Sequence, residues 1–197
     1  LLDGKDFLDS HACMLVGEHN MLNIQAATAM TMLEGIDLSA IKRAATTFAG
    51  LAHRCQTVAV SNHVRWINDS KATNVGATIA AIDGLAPTCT GKLILIAGGD
   101  GKGADFSPLE ERFNTQVSEL ITLGKDGPKL AELKANSHQV ATLDDAVQLA
   151  ATLAKGDATV LLSPACASLD MFKNYQQRGD LFVKAVNTLV AKQGGQR

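Results

Sequence analysis

Leu93-Ile94-Leu95-Ile96-Ala97-Gly98-Gly99-Asp100-Gly101-Lys102-Gly103-Ala104-Asp105 is an apolar run without polar alternation that breaks into glycine. The run is too short for a helix or a membrane span, and it reads as a strand covered on both faces. Outward from it, strand-like and helix-like stretches alternate. Helical patterns fall over residues 108–114, 128–136 and 144–154, strands over 119–123, 139–142 and 159–163, and a long helix closes the chain. Upstream, 57–60 and 64–68 predict two short strands around the turn Ser61-Asn62-His63. This order predicts an α/β fold: a Rossmann-like, mostly parallel sheet with helices on both faces. Ligands of such sheets collect at loops following the carboxyl ends of strands. Before residue 50 no strand is evident. Residues 20–34 and 39–48 have helical spacing, with Leu22, Ala26, Ala29 and Leu33 on one stripe and Ser39 as the expected cap of the second helix. A domain boundary is therefore expected near residue 50, giving segments 1–50 and 51–197.

Composition narrows the function. The 197 residues are 46% hydrophobic and 19% charged, with a formal net charge of -2, enough for a core but without the basic field that nucleic acid or anionic membranes require. Cys13, Cys55, Cys89 and Cys166 form no CxxC pair, and the five histidines show no HExxH spacing, so neither a zinc ribbon, a disulfide framework nor a metal site built by this chain alone is expected. A reduced cytoplasm suits these thiols. The chain opens on Leu1 without an initiator Met or a signal-peptide layout, which suggests truncation or processing.

Three loops carry the candidate chemistry. Asn68-Asp69-Ser70-Lys71-Ala72-Thr73-Asn74 lies between a strand and a helix start, where unpaired backbone N–H groups favour anions. Asp69 could take a ribose hydroxyl or a cation, Lys71 a phosphate and Thr73 a carboxylate; alternatively Thr73 or Asn74 caps the helix while Asp69 and Lys71 pair at the surface. In the loop 98–105, glycines let a ligand approach the backbone and Lys102 supplies a charge; the alternative is a flexible surface turn. No Gly-Lys pair is followed by Ser or Thr, so the chain has no Walker loop, and the GxGxxG spacing is absent too. In Ser163-Pro164-Ala165-Cys166-Ala167-Ser168-Leu169-Asp170, Ser168 could donate to a carboxylate at the start of the last helix, with Tyr175 closing the pocket. Cys166 reads as a small buried hydrophobe more than as a nucleophile.

Taken in order, these three motifs closely resemble the Mur ligases, in the branch that adds D-glutamate to UDP-N-acetylmuramoyl-L-alanine. Gly17-Glu18-His19-Asn20 with Asn23, His53-Arg54 and Gln177-Arg178-Gly179 add to the resemblance, which spans nearly the whole chain. It implies that 1–50 are the end of a central ATP-binding domain and 51–197 the C-terminal, amino-acid-binding domain. The P-loop, the Mg2+ ligands and a carbamylated lysine would lie outside this chain, leaving it inactive alone. The implied chemistry is peptidoglycan precursor synthesis: ATP phosphorylates a carboxylate, and the amine of D-glutamate attacks the acyl phosphate. By motif position the resemblance gives Asn20 and Asn23 to adenine, Arg54 and Asp69 to phosphate and ribose, and Lys71 to the transferring phosphate. It gives Thr73 and Lys102 to the α-carboxylate of D-glutamate, and Ser168, Leu169 and Tyr175 to its side-chain carboxylate. Relatives often carry Phe where this chain has Tyr175. The resemblance also implies a cytoplasmic monomer acting on small molecules, with no nucleic acid or membrane partner. The alternatives are another Mur ligase, folylpolyglutamate synthase, or a nucleotide-binding α/β module without catalysis. In the first two, His or Asn usually follows the Asp of the first loop.

Overall fold

The computed structural model describes residues 7–9, 12–15 and 18–194; Gly17 of the Gly17–Asn20 run lies outside them. The chain divides into two compact units, Leu1–Leu51 and Ala52–Arg197.

The first unit contains helices α1 (Glu18–Leu33) and α2 (Leu38–Thr47). Asp37, and not Ser39, caps α2: its carboxylate accepts the N–H groups of Ser39 and Ala40. A cap must stand one residue ahead of the first helical turn to meet those free donors, and Ser39 is already inside the helix. The stripe of α1 is exposed at Leu22, Ala26, Ala29 and Leu33.

The second unit is built on a six-stranded sheet ordered β1-β2-β6-β3-β4-β5. The strands are β1 (Gln56–Ser61), β2 (Val64–Asn68), β3 (Lys92–Gly98), β4 (Glu119–Leu123), β5 (His138–Gln139) and β6 (Ala158–Leu162). Only β1, joined to β2 by the expected hairpin, is antiparallel. The opening stretch is the strand β3, and its side chains alternate between two apolar layers. Leu93, Leu95 and Ala97 meet α3 (Val75–Leu85), α4 (Glu110–Thr115) and α5 (Gly127–Ala131), while Ile94 and Ile96 meet α6 (Leu143–Leu153) and α7 (Tyr175–Gly194). Leu93, Ile94, Leu95 and Ile96 are all essentially inaccessible, and burying each is worth ~1.5–3 kcal/mol. This double cover explains why the strand shows no alternation in sequence.

Three expected elements are shorter or later. The helix over 128–136 ends at Ala131, where Lys134 N and the Ser137 hydroxyl both bond Ala131 O and Asn136 turns at φ 60°. The strand over 139–142 keeps only His138–Gln139, because Thr142 is taken as the cap of α6. The last helix begins at Tyr175, so Ser168 stands in an irregular loop before it and not at its N-terminus.

Candidate functional site

The parallel strands β2, β6, β3 and β4 are neighbours in the sheet, so the loops leaving their carboxyl ends lie side by side. The loop after β2 is fixed by its first two side chains. Asn68, wholly buried, accepts Ser70 N–H through Oδ1 and donates to Gly179 O, with His53 Nδ1 3.1 Å from the same amide nitrogen. Asp69 extends the strand pairing through its N–H to Leu162 O. Its carboxylate accepts the Cys55 N–H at 3.2 Å and the Ser163 hydroxyl at 2.8 Å. Burial raises its pKa to about 6, against the opposing pull of the Ser163 and Cys55 hydrogen bonds and the charge of Arg54. The alternative of a surface pair between Asp69 and Lys71 therefore fails, since a carboxylate 7% exposed is satisfied from within. The cap alternative holds for Asn74, which accepts Ala77 N–H at 2.9 Å.

Lys71 and Tyr175 meet. The ammonium lies 4.1 Å from the ring centroid, a cation–π contact worth about 0.5–2 kcal/mol, and the His53 ring meets Tyr175 edge-on at 5.9 Å. Thr73 is half-buried, its N–H on Lys71 O. Arg54 is exposed.

Arg178, one turn into α7, joins the loops after β2 and β6. Its guanidinium donates to Ser70 Oγ at 3.0 Å, Ser70 O at 2.9 Å and Cys166 O at 3.1 Å, and the Ser70 hydroxyl donates in turn to Tyr175 O at 2.8 Å. The charge is 2% exposed and faces neutral acceptors; burial pulls its pKa down to about 10. In the sequence Arg178 stands out only through Gln177-Arg178-Gly179, because a single Arg on a helix carries no sign of what its side chain spans. Cys166 is fully buried, and burial pushes its thiol up to about 12. That thiol is inert packing, as expected.

The glycine-rich loop after β3 is neither a free turn nor an open backbone cradle. A Cβ on Gly98 would fall 1.9 Å from Leu123 O, and one on Gly99 2.2 Å from Ala167 O. These glycines exist so that neighbouring loops can touch. Asp100 and Ala167 exchange both backbone hydrogen bonds, while Gly101 N–H is held by Asp126 Oδ2 and Lys102 N–H by Asp100 Oδ1. Those two N–H groups are thus committed internally, which corrects the expectation that they would receive a ligand. Lys102 is exposed, at φ 53°. No hydrogen bond or ion pair among the described residues joins it to Thr73 or Ser168. Ser168 is buried, with its carbonyl accepting Met171 and Phe172 N–H; Leu169 is exposed. Asn20 and Asn23 lie on α1 in the first unit.

A fourth loop, Gly124-Lys125-Asp126-Gly127 after β4, escaped the sequence reading. Gly124 lies against Gly99, Lys125 N–H bonds Asp170 and its ammonium is 3.2 Å from Asp100. The signal was present: two glycines and a charged pair directly after a strand. Among the described residues no group of three or more His, Cys, Asp or Glu could hold a metal ion, and no helix is long and apolar enough to cross a membrane.

A mostly parallel sheet carries, in its strand-end loops, an exposed lysine, a lysine on an aromatic ring and buried hydroxyls, and the family profile described as "Mur ligase, glutamate ligase domain" matches residues 53–166. The chain belongs to the Mur ligase family. It is 60% identical over 174 residues to the UDP-N-acetylmuramoylalanine–D-glutamate ligase of Colwellia psychrerythraea, covering 87% of this chain and 37% of that protein. The ligase of the same name from Idiomarina loihiensis is 49% identical over 187 residues, covering 95% and 40%. The chain thus spans about two-fifths of the length of these relatives. Among solved structures, the fold is shared with a folylpolyglutamate synthase of Mycobacterium tuberculosis (TM-score 0.66, 15% identity, 85% of this chain and 41% of that one). It is shared equally with a UDP-N-acetylmuramate-alanine ligase of Thermotoga maritima (TM-score 0.64, 15% identity, 88% and 39%).

Proposed function

We propose that this chain is the amino-acid-binding part of an ATP-dependent ligase that joins D-glutamate to UDP-N-acetylmuramoyl-L-alanine in peptidoglycan precursor synthesis. The observation that carries the reading is the 60% identity, through all three loops' span, to a protein named for that reaction. In this reading residues 1–50 end a central ATP-binding domain and 51–197 form the C-terminal domain. The protein works in the cytoplasm as a monomer on small molecules.

A free carboxylate is a poor electrophile, and phosphorylation by ATP makes it an acyl phosphate that the amine of D-glutamate can attack. The work left to this chain is positioning and charge neutralisation. Thr73 and Lys102 take the α-carboxylate, and Ser168, Leu169 and Tyr175 frame the side-chain carboxylate. Lys71 leaves the Tyr175 ring to meet the transferred phosphate. Asn20 and Asn23 bind adenine, and Arg54 a phosphate of the nucleotide. Asp69 takes a ribose hydroxyl, its carboxylate oriented by the Cys55 N–H and the Ser163 hydroxyl. Mg2+, bound with ATP chiefly by residues outside this chain, supplies charge screening at the phosphates.

The test is a pair of variants in the full-length ligase. Lys102→Ala should raise KM for D-glutamate roughly ten- to hundredfold, the worth of one charged hydrogen bond, with ATP titration nearly unchanged. Lys71→Ala should depress kcat more than either KM. An unchanged D-glutamate titration in Lys102→Ala would remove the glycine-rich loop from the site. The 197-residue chain by itself should release no phosphate from ATP, and release above contaminant controls would move the active site into it.

A further inference from the structure

The loop that carries Lys102 contains glycines at 98, 99, 101 and 103, and nothing in that composition would hold a lysine in one place. Yet Lys102 sits at φ 53°, a backbone region that side chains other than Asn and Asp adopt sparingly. The turn itself is closed by Ala104 N–H on Gly101 O at 3.0 Å, but that bond does not anchor the turn to the rest of the fold. The restraint comes from the neighbouring loop. Asp126, 4% exposed at the start of α5, accepts Gly101 N–H through Oδ2 at 2.8 Å and holds Lys129 through Oδ1 at 2.7 Å. Its own N–H returns to Gly99 O at 2.9 Å, so residues 99 and 101 are both held by one residue. The grip is close: a Cβ on Gly101 would come within 3.2 Å of Asp126 Oδ2 and 2.5 Å of the Phe106 ring. Asp100 completes the turn by accepting Lys102 N–H at 3.0 Å.

We propose that Asp126 is a positioning residue for amino-acid binding: by gripping Gly101 it anchors the turn that carries Lys102, and so places the ammonium that receives the substrate carboxylate. The inference rests on the reading of Lys102 as a carboxylate ligand. Asp126 does not itself touch substrate, and a second carboxylate beside a dicarboxylate would repel it. That repulsion is countered by Lys129 on one oxygen, and the Lys129 pair followed by the Gly101 bond holds the Asp126 carboxyl below its ordinary range. The carboxylate therefore stays ionised as a strong acceptor wherever the ligase works.

The experiment compares Asp126→Ala, Asp126→Asn and Lys102→Ala in the full-length ligase, titrating D-glutamate and ATP. Asp126→Ala should raise KM for D-glutamate roughly tenfold, as expected for losing a hydrogen bond to a charged group, with kcat and KM for ATP within about twofold of the parent. Asp126→Asn keeps an oxygen for Gly101 N–H and should recover most of that loss. Amide hydrogen exchange on the 197-residue chain gives a readout independent of catalysis: Gly101 should exchange faster in Asp126→Ala and stay protected in Asp126→Asn. If Lys102→Ala raises KM and Asp126→Ala does not, the positioning role is wrong while the site reading stands. Equal defects in Asp126→Ala and Asp126→Asn would also overturn it, assigning the effect to the Lys129 charge pair. No effect in Lys102→Ala would remove the site reading and this inference together. Should Asp126→Ala fail to fold, Asp126→Ser, whose hydroxyl still accepts, takes its place with the same outcomes.

Discussion

The two ends of the parallel sheet handle charge in opposite ways. At the amino ends, charges pair with one another in view of water: Lys92 with Glu119 at 3.1 Å, His138 with the same Glu119 at 3.3 Å, and His63 with Asp157 at 3.2 Å. At the carboxyl ends Asp126 keeps its pair with Lys129, but Asp69 and Arg178 are buried and held by hydroxyls, N–H groups and carbonyls. The first arrangement costs little and gains little. The second is expensive, since a buried charge without an ion-pair contact is tolerated only when hydrogen bonds replace its water. The difference marks the carboxyl end as the face where stability is given up to fix loops.

The contrast can be broken by substitution, and Arg178→Ala should do so most severely. It strands Ser70 O and Cys166 O without their donor and opens a cavity between α7 and two loops. A loss of about 3–5 kcal/mol is expected by chemical denaturation; a loss below about 1 kcal/mol would mean that the guanidinium is not what joins the loops.

Asp69 sharpens the comparison through pH. Its folded pKa is raised from 3.8 to about 6, so between those values the folded state keeps a proton that the unfolded state has released. The contribution of Asp69 to stability should therefore be fullest below pH 4 and be lost as pH rises to about 6, by roughly 3 kcal/mol at about 1.4 kcal/mol per tenfold. Asp69→Asn should abolish this slope, matching the parent at pH 4 and exceeding it at pH 8 by up to that amount. Melting curves across pH decide it: a parent and variant that run parallel would show that Asp69 is not strained by burial.

At the other end, Glu119→Gln should cost only about 0.5–1 kcal/mol at neutral pH, because Lys92 is partly solvated. The Lys92 hydrogen bond, followed by that of His138, lowers the Glu119 pKa beneath its usual 4.5. Its contribution is present above pH 4.5 and disappears as pH falls through the lowered folded value. Added salt should shrink the difference between parent and variant. Asp157→Asn, breaking the exposed His63 pair, should move stability by less than about 0.5 kcal/mol; a larger effect would mean that the amino ends are not as loosely held as their geometry indicates.

The sheet was legible because β3, β4 and β6 are short apolar runs bounded by glycine or charge, a signal that survives without knowledge of tertiary contacts. Residues 131–142 were read less well. There the helix is stopped by the Ser137 hydroxyl and by Asn136, and the strand is cut short when Thr142 turns to capping, all local competitions that a hydrophobic pattern does not register. At the site, Lys71, Thr73, Lys102 and Ser168 could be picked out as polar groups beside strand ends. Asp69's confinement could not, because its partners Cys55 and Ser163 lie 14 and 94 residues away. Gly98 and Gly99 looked like room for a ligand, whereas their bare Cα atoms face other loops; sequence reports the missing side chain and not what fills the space.

The position of β6 also governs how such a chain can be made. It is the last strand of this sheet in chain order, yet it pairs with both β2 and β3, which have no other link in the sheet. Until Ala158–Leu162 leaves the ribosome, the β1–β2 hairpin and the β3–β4–β5 group can exist only as separate halves with open edges, the kind of unpaired strand that invites aggregation. The loops bearing Lys71 and Lys102 are thus brought to a common face by a single late insertion, and a nascent chain halted before it would display both lysines with no common face to place them on.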